Sequence, residues 1–186
     1  VSDLTPVKRQ IELLKEIAPD TKKVAIMYAN SEDNSRFQAD IAKIEIEKLN
    51  MEAIDASVSD ANQIQQMTES LVGKVDAIYV PTDNLVSESF SVVSNIANEH
   101  KIITVVGEIA MVNTGGLITD GITYISVGKQ AGNLAHKILI ENADVKTLPI
   151  VFLADEDLEL AINTTTEEKL GIEIAEVLRE KAKLVE

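Results

Sequence analysis

Residues 22–50 read KKVAIMYANSEDNSRFQADIAKIEIEKLN, and this stretch indicates the fold class. The apolar run from Val24 to Ala29 is typical of a strand that is buried on both faces of a sheet. A polar loop at 30–35 follows the strand and leads into a helix that begins near Arg36. Strand, polar loop and helix together form one β-loop-α unit, which is the building block of α/β proteins.

The same unit recurs along the chain, because apolar residues alternate between the period of strands and the period of helices. This pattern predicts strands at 51–58, 76–81, 102–107 and 117–122, and helices at 62–73, 85–100 and 125–142. Another helix opens the chain, with Thr5 as its N-cap, Pro6 at its first position and Pro19 as its terminator. Parallel strands need right-handed crossovers, so we expect a doubly wound, mainly parallel sheet with the flavodoxin-like order 2-1-3-4-5.

The second half of the chain is expected to divide into a lobe and an appendage. Helix 125–142 carries an apolar stripe that we expect to be buried, formed by Ala131, Leu134, Ala135, Ile138 and Leu139. A strand is predicted at 150–154, and the end of the chain shows a further strand, the N-cap candidate Asn163 and an amphipathic finish. The expected division is an α/β lobe at 1–148 and, at 149–186, a C-terminal strand and helical appendage that is free to dock away from the main sheet.

The composition excludes several classes of partner. The chain has 17 Lys and Arg against 31 Asp and Glu, which gives a net charge of −14. Such a surface repels nucleic acid and anionic membranes. The apolar runs, such as those at 24–29 and 102–106, are far shorter than the roughly 20 residues of a membrane helix, so we expect no membrane insertion.

Chemistry that depends on thiols, metals or cofactors is also disfavoured. The sequence contains no cysteine, and His100 and His136 have no partner at metal-ligand spacing, so no metal site is predicted. It has no dinucleotide fingerprint, P-loop, nucleophile elbow or zinc-protease motif. Glu32 and Asp33 would oppose a phosphate at the end of the first strand. We therefore predict a protein that is not an enzyme and that uses no cofactor.

Candidate binding residues follow three of the predicted strands, where doubly wound sheets gather their ligands. They are Glu32, Asn34 and Ser35 after the first strand, Thr82, Asp83 and Asn84 after the third, and Gly107 and Glu108 after the fourth. A carboxylate at such a position could take an ammonium group, while hydroxyls and amides could meet a carboxylate. The same residues could equally be helix caps and strand ends, and the residues alone leave both interpretations open.

Five segments together resemble a known family. They are VSDLTPVKRQIELLKEIAP at 1–19, SEDNS at 31–35, KVDAIYVPTDN at 74–84, ITYISVGKQAGNLAHKIL at 122–139 and AINTTTEEKLGIEIAEVL at 161–178. Along its whole length the chain resembles the ABC-transporter substrate-binding family that includes tryptophan- and tyrosine-binding lipoproteins. The PTDN sequence after an apolar strand is the most specific element of this resemblance.

The resemblance implies a type I periplasmic-binding-protein architecture, in which two α/β lobes hold a small molecule between them and present it to an ABC permease. Within it, this chain is similar to a second lobe that lacks most of the first, and helix 125–142 could belong to the other lobe. The implied function is the extracytoplasmic solute-binding component of an ABC importer, located in the periplasm or anchored as a lipoprotein.

The implied ligand is an aromatic amino acid, and this choice rests on the family alone. Asp83 and Glu32 would take its ammonium group. Its polar ends would form hydrogen bonds with Thr82, Asn84, Asn34 and Ser35.

Two other interpretations stay open. Asp83 lies where the phosphoacceptor of a response-regulator receiver domain would lie, with Glu32 and Asp33 in the place of metal-binding acids. A receiver also needs a lysine at the end of the fifth strand, where this chain has Asp120 and Gly121. The other interpretation is an inactive scaffold fragment whose polar loops are caps and turns. If the first lobe is missing, a stranded apolar face could also be buried by homodimerisation.

Overall fold

A seven-stranded sheet forms the centre of the molecule. The computed structural model describes residues 1–186, apart from the side chain of Asp155. The strands have the order β2-β1-β3-β4-β5-β6-β7, in which β5 and β6 are antiparallel and the other neighbours are parallel. They are β1 Lys23–Ile26, β2 Glu52–Asp55, β3 Ala77–Val80, β4 Ile103–Val106, β5 Ile118–Ile122, β6 Leu158–Asn163 and β7 Lys183–Val185. The predicted α/β class and the order 2-1-3-4-5 of the first five strands are confirmed.

Helices cover both faces of this sheet. They are α1 Val7–Ile17, α2 Asp33–Lys48, α3 Asn62–Leu71, α4 Asn84–Glu88, α5 Phe90–Glu99, α6 Ile109–Asn113, α7 Tyr124–Leu139, α8 Thr164–Leu170 and α9 Glu176–Arg179. Two 3-10 turns lie at Val145–Thr147 and Asp155–Asp157. Helices α1 and α2 share one apolar cluster with one face of the strands, and α3 to α6 share a second cluster with the other face. Among the described residues, no helix is both long and apolar enough to cross a membrane.

Strand β3 shows how one strand serves both clusters. Ala77 and Tyr79 belong to the cluster beneath α1 and α2, whereas Ile78 and Val80 belong to the cluster beneath α3 to α6. All four residues are 0% exposed. A central parallel strand is covered on both sides, so its sequence is a continuous apolar run.

Two of the predicted helix caps have different outcomes. Asn163 is confirmed as the cap of α8, because its Oδ1 accepts a hydrogen bond from the backbone N–H of Thr166 at 2.8 Å. The prediction that Thr5 caps α1 is wrong, because α1 begins at Val7 and has no cap among the described side chains. The Thr5 hydroxyl donates instead to Oε1 of Gln38 at 2.9 Å, so a tertiary partner replaces the local one.

The end of the chain joins the main sheet and does not dock elsewhere. Strand β6 pairs with β5 along its length, and β7 pairs with β6. Ala161 and Ile162 are 0% exposed, which makes β6 part of the core. A strand pattern predicts a strand but not the sheet edge that it joins, because that choice depends on residues far away in the sequence.

Helix α7 differs from the other long helices in its packing. All of its residues are described, and none of them is buried. The prediction of a buried stripe is therefore wrong within this chain: Ala131, Ala135 and Leu139 are exposed, and Leu134 and Ile138 are half-buried. Apolar spacing marks the face that would enter a core, but burial also requires a partner surface.

The stretch between α7 and β6 does not pair with the sheet. The strand predicted at 150–154 is wrong, since these described residues form no strand. The N–H of Ser2 donates to the carbonyl of Val151 at 2.8 Å, so this stretch contacts the segment that precedes α1. A strand requires a neighbouring strand over several residues, and a single hydrogen bond does not provide one.

Candidate functional site

The predicted site residues meet at the carboxyl edge of the sheet. Because β1, β3 and β4 are neighbouring parallel strands, the loops that follow them lie side by side. Glu32 joins the first two loops: its Oε2 accepts from Nδ2 of Asn84 at 2.8 Å, and its Oε1 accepts from the N–H of Leu85 at 3.1 Å. The loops after β1 and β3 are therefore in direct contact.

The carbonyl of Thr82 forms a second junction between these two loops. It accepts hydrogen bonds from Nδ2 of Asn34 at 3.3 Å and from the hydroxyl of Ser35 at 3.1 Å. Ser35 and Thr82 are buried, whereas Asn34 and Asn84 are exposed. The two asparagine amides can therefore reach a bound molecule, while Ser35 and Thr82 support the loops.

Asp83 lies beneath the surface of the loop and is 1% exposed. Its Oδ2 accepts from the N–H of Ala29 at 2.6 Å, and its Oδ1 accepts from the N–H of Val86 at 2.8 Å. The carboxylate thus caps α4 and ties it to the end of the first strand. A phosphoacceptor aspartate must be reached by a phosphoryl donor, so this geometry does not fit the receiver-domain interpretation.

Gly107 and Glu108 form the third loop of the edge. A Cβ on Gly107 would lie 2.6 Å from the backbone nitrogen of Thr82 and 2.7 Å from the carbonyl carbon of Pro81. Only glycine therefore permits this close approach of the loops after β3 and β4. Glu108 is 8% exposed, and its Oε1 accepts from the hydroxyl of Ser87 at 2.7 Å.

A cleft of about 590 Å³ opens beside Glu108, which is a size that suits a small molecule. Its apolar wall contains Ile109, Ala110, Ile122, Tyr124, Ile125 and Leu158. Its other charged members are Lys129, Glu156, Asp157, Glu159 and Lys183. Of the eight predicted site residues, all of which are described, Glu108 alone lines this cleft. The other seven lie on the loops next to it, and their contact with a ligand stays a prediction.

Tyr124 lies in this cleft and was not among the predicted residues. It is 61% exposed and is the first residue of α7. Partial burial raises the pKa of its phenol, and the negative charges of Glu108 and Asp3 raise it further. Its position follows the carboxyl end of β5, so the rule that located the other loops also applies to it.

Comparison with known proteins identifies the family. The family model described as ABC transporter substrate binding protein matches residues 1–186. The chain belongs to this family. Its members are solute-binding proteins, so the resemblance seen in the sequence is confirmed and the receiver-domain interpretation is not supported.

The matches with individual relatives extend over nearly all of this chain. The tyrosine-binding protein of Clostridioides difficile strain R20291 is 37% identical over 172 residues, which are 92% of this chain and 49% of the relative. A substrate-binding protein with adhesive properties from Clostridium difficile, solved in its ligand-free, open form, is 36% identical with a TM-score of 0.79; the match covers 97% of this chain and 59% of that one.

A domain from Streptococcus pneumoniae solved in complex with L-Trp is 30% identical, with a TM-score of 0.87, and the match covers 100% of this chain and 64% of that one. The chain thus spans about half the length of the curated relative and less than two thirds of these solved chains. The high TM-scores confirm the fold of a substrate-binding-protein lobe.

Proposed function

We propose that this chain is part of the extracytoplasmic solute-binding component of an ABC importer and that it holds an aromatic amino acid in a cleft between two lobes. The observation that carries the proposal is the cleft beside Glu108, where a carboxylate, an exposed phenol and an apolar wall meet at the carboxyl edge of the sheet. The relatives support the ligand class, since one is named a tyrosine-binding protein and another was solved with L-Trp.

Glu108 is the proposed partner of the ligand's ammonium group. Both oxygens of Asp83 and both oxygens of Glu32 already accept N–H bonds from the protein. Glu108 receives a hydroxyl bond on Oε1 and lies in the cleft wall with 8% of its surface exposed. A poorly hydrated carboxylate forms a stronger charge-assisted bond than a surface one. Asp83 and Glu32 accordingly act as positioning residues in this proposal.

The remaining parts of an aromatic amino acid also have partners at this edge. Asn34 and Asn84 each donate one hydrogen bond from Nδ2 to the protein and retain a second N–H, which can meet the ligand's carboxylate. The ring of Tyr124 and the side chains of Ile109 and Ile125 provide an apolar wall against which an aromatic ring can pack.

A second lobe would complete this cleft, and α7 carries the surface on which it would pack. The apolar residues that α7 and the following stretch leave exposed include Tyr124, Ile125, Leu139, Ile140, Val145, Ile150 and Phe152. Large exposed apolar patches mark interaction sites. We propose that the rest of a longer protein covers this patch, in preference to a second copy of the chain, because the relatives extend well beyond the matched region.

Three segments lie next to one another at the end of the sheet where α7 begins, and they are called the crossing segments below. They are 1–6, 122–124 and 154–158. Ile122 pairs with Leu158, and a hollow of about 560 Å³ between α1, α2 and the sheet edge is lined by Leu4, Asp120 and Leu158. Adjacent crossing segments are the places where two lobes can rotate relative to each other. The permease as partner and the extracytoplasmic location rest on the family.

Titration calorimetry of the full-length protein with tryptophan, tyrosine and phenylalanine tests the proposal. Glu108→Gln retains the size of the side chain and its bond with Ser87 but removes the charge, so we expect an affinity loss of about 30-fold or more. Glu99→Gln is the matched control, because Glu99 is exposed at the end of α5, on the opposite edge of the sheet. The proposal is wrong if no aromatic amino acid binds, and its site is wrong if Glu108→Gln binds as the wild type does.

A further inference from the structure

A buried glutamine connects one crossing segment with the loop after β3. Gln38 lies in α2 and is 3% exposed. Its Oε1 accepts from the hydroxyl of Thr5 at 2.9 Å, from the hydroxyl of Thr82 at 3.3 Å and from the backbone N–H of Thr82 at 3.5 Å. Its Nε2 donates to the carbonyl of Asn34 at 3.4 Å. One amide thus contacts the segment 1–6, the loop after β3 and the first turn of its own helix.

The inner face of α2 is apolar on the C-terminal side of Gln38, whereas the buried residue one turn before it is Ser35. Ala39, Ala42 and Ile46 are the neighbouring buried residues of this helix, and a leucine or methionine at position 38 would continue the same face. A buried amide costs free energy unless its hydrogen bonds are satisfied. At Gln38 both ends of the amide have partners: the oxygen accepts from segment 1–6 and from the loop after β3, and the nitrogen donates to the first turn of α2 itself.

The two threonines joined by Gln38 occupy positions with different roles. Thr5 belongs to the crossing segment 1–6, which also contacts the stretch before β6 through Ser2 and Val151. Thr82 lies in the loop whose backbone is in contact with Gly107, where no side chain would fit. A displacement of Thr82 would therefore also displace the loop that carries Glu108.

We propose that Gln38 is a positioning residue for ligand binding, which couples the crossing segment 1–6 to the loops that carry Thr82 and Glu108. Its consequence for affinity rests on the function proposed above. A loop that is held in its binding geometry before the ligand arrives loses less entropy when it binds. When segment 1–6 moves during lobe closure, the hydroxyl of Thr5 moves with it and Gln38 transmits the shift to Thr82.

A purely structural role for Gln38 leads to a different expectation. If Gln38 only filled space in the core, changes at Thr5 and at Gln38 would lower stability and would alter ligand affinity independently of each other. Coupling through hydrogen bonds makes the effect of one change depend on the presence of the other partner.

The test measures ligand affinity in the full-length protein with Thr5→Val, Gln38→Met and the double variant. Thr5→Val retains the shape of the side chain and removes the donor, so we expect affinity for the bound aromatic amino acid to fall about fivefold. In the Gln38→Met background the same change should alter affinity less than twofold. Thr5→Ser restores the hydroxyl and should restore affinity.

Thr68→Val is the matched control. Like Thr5, Thr68 is buried, and its hydroxyl donates to the carbonyl of Ile64 within α3, on the opposite face of the sheet. We expect this variant to lower the melting temperature as Thr5→Val does and to leave the affinity unchanged. Equal effects of Thr5→Val in both backgrounds, or an equal affinity loss in Thr68→Val, would overturn the inference.

A second measurement needs no ligand and separates this inference from the proposed function. In nuclear magnetic resonance spectra of the ligand-free protein, Thr5→Val should shift the amide resonance of Thr82, which donates to Gln38, and Thr68→Val should not shift it. An unchanged Thr82 amide in Thr5→Val overturns the coupling. If the amide shifts but no amino acid binds the wild type, the coupling stands and the function proposed above fails.

Discussion

Helices α5 and α7 both carry an amphipathic sequence, but they differ in what they contact. Phe90, Val93 and Ala97 of α5 are 0% exposed and pack against the sheet. Leu139 of α7 is 74% exposed, and none of the described residues of α7 is buried. The difference shows that an apolar stripe indicates the need for a partner and not the presence of one. For α7 we propose that the partner is the other lobe of a longer protein.

The largest expected effect on stability is in α5, the helix that packs in the core. Phe90→Ala should lower the free energy of unfolding of the 186-residue chain by about 3–5 kcal/mol, because a fully buried ring leaves a cavity. Leu139→Ala, on α7, should change it by less than about 0.5 kcal/mol. Urea unfolding followed by circular dichroism measures both. Similar losses in the two variants would mean that α7 packs on the sheet in solution.

A smaller difference in the free energy of unfolding is expected when the residues that cap α4 and α7 are replaced. Asp83 caps α4, which directly precedes α5, and its removal in Asp83→Ala leaves the buried N–H groups of Ala29 and Val86 without partners. We expect a loss of about 2–3 kcal/mol in the same unfolding experiment. Thr123 caps α7, where its Oγ1 accepts from the N–H of Ser126 at 3.1 Å.

Thr123→Ala is the control for Asp83→Ala. It removes one cap from a helix that contributes little to the core, so we expect a loss of less than about 1 kcal/mol. A loss as large as that of Asp83→Ala would contradict the interpretation that α7 is energetically separate from the sheet.

The smallest expected effect is the change in the free energy of unfolding that one substitution causes in two forms of the protein. Ile140 is 67% exposed, so Ile140→Val should leave the stability of the 186-residue chain unchanged. In the full-length protein the same substitution should lower the free energy of unfolding by about 1 kcal/mol, because the proposed lobe would bury the methyl group that valine lacks. Unfolding of both forms in urea gives the two values. Equal values would leave α7 without the proposed partner.

The strand pattern predicted the order of the central strands, whereas the helix pattern predicted helices without showing which of them are buried. Short apolar runs such as the one before Pro81 indicated buried parallel strands, and right-handed crossovers leave few orders in which such strands can lie. The first five strands accordingly follow the predicted order. The spacing of apolar residues in α7 identified a helix correctly, but it could not indicate that the face would lack a partner within this chain.

The sequence predicted which loops lie at the carboxyl edge of the sheet, whereas the binding roles of their residues stay predictions. Parallel strands end at one edge, so the segments that carry Glu32, Asp83 and Glu108 were expected to be neighbours, and hydrogen bonds from Leu85 to Glu32 and from Ser87 to Glu108 join them. Which of these carboxylates is available to a ligand could not be predicted, because Asp83 and Glu32 are occupied by N–H groups from distant residues. Gln38 has no local signal at all, since its partner Thr5 is 33 residues away.

By itself the sequence determined the α/β class, the order of the first five strands, the three loops of the candidate site and the family resemblance. Only the tertiary structure decided that β6 and β7 extend the same sheet, that α7 lies outside the core and that Asp83 is buried while Glu108 lines a cleft. The physical reason is that periodicity and the succession of strand, loop and helix are local properties of the chain. Edge pairing, burial and the partners of a carboxylate depend on residues that only the fold brings together.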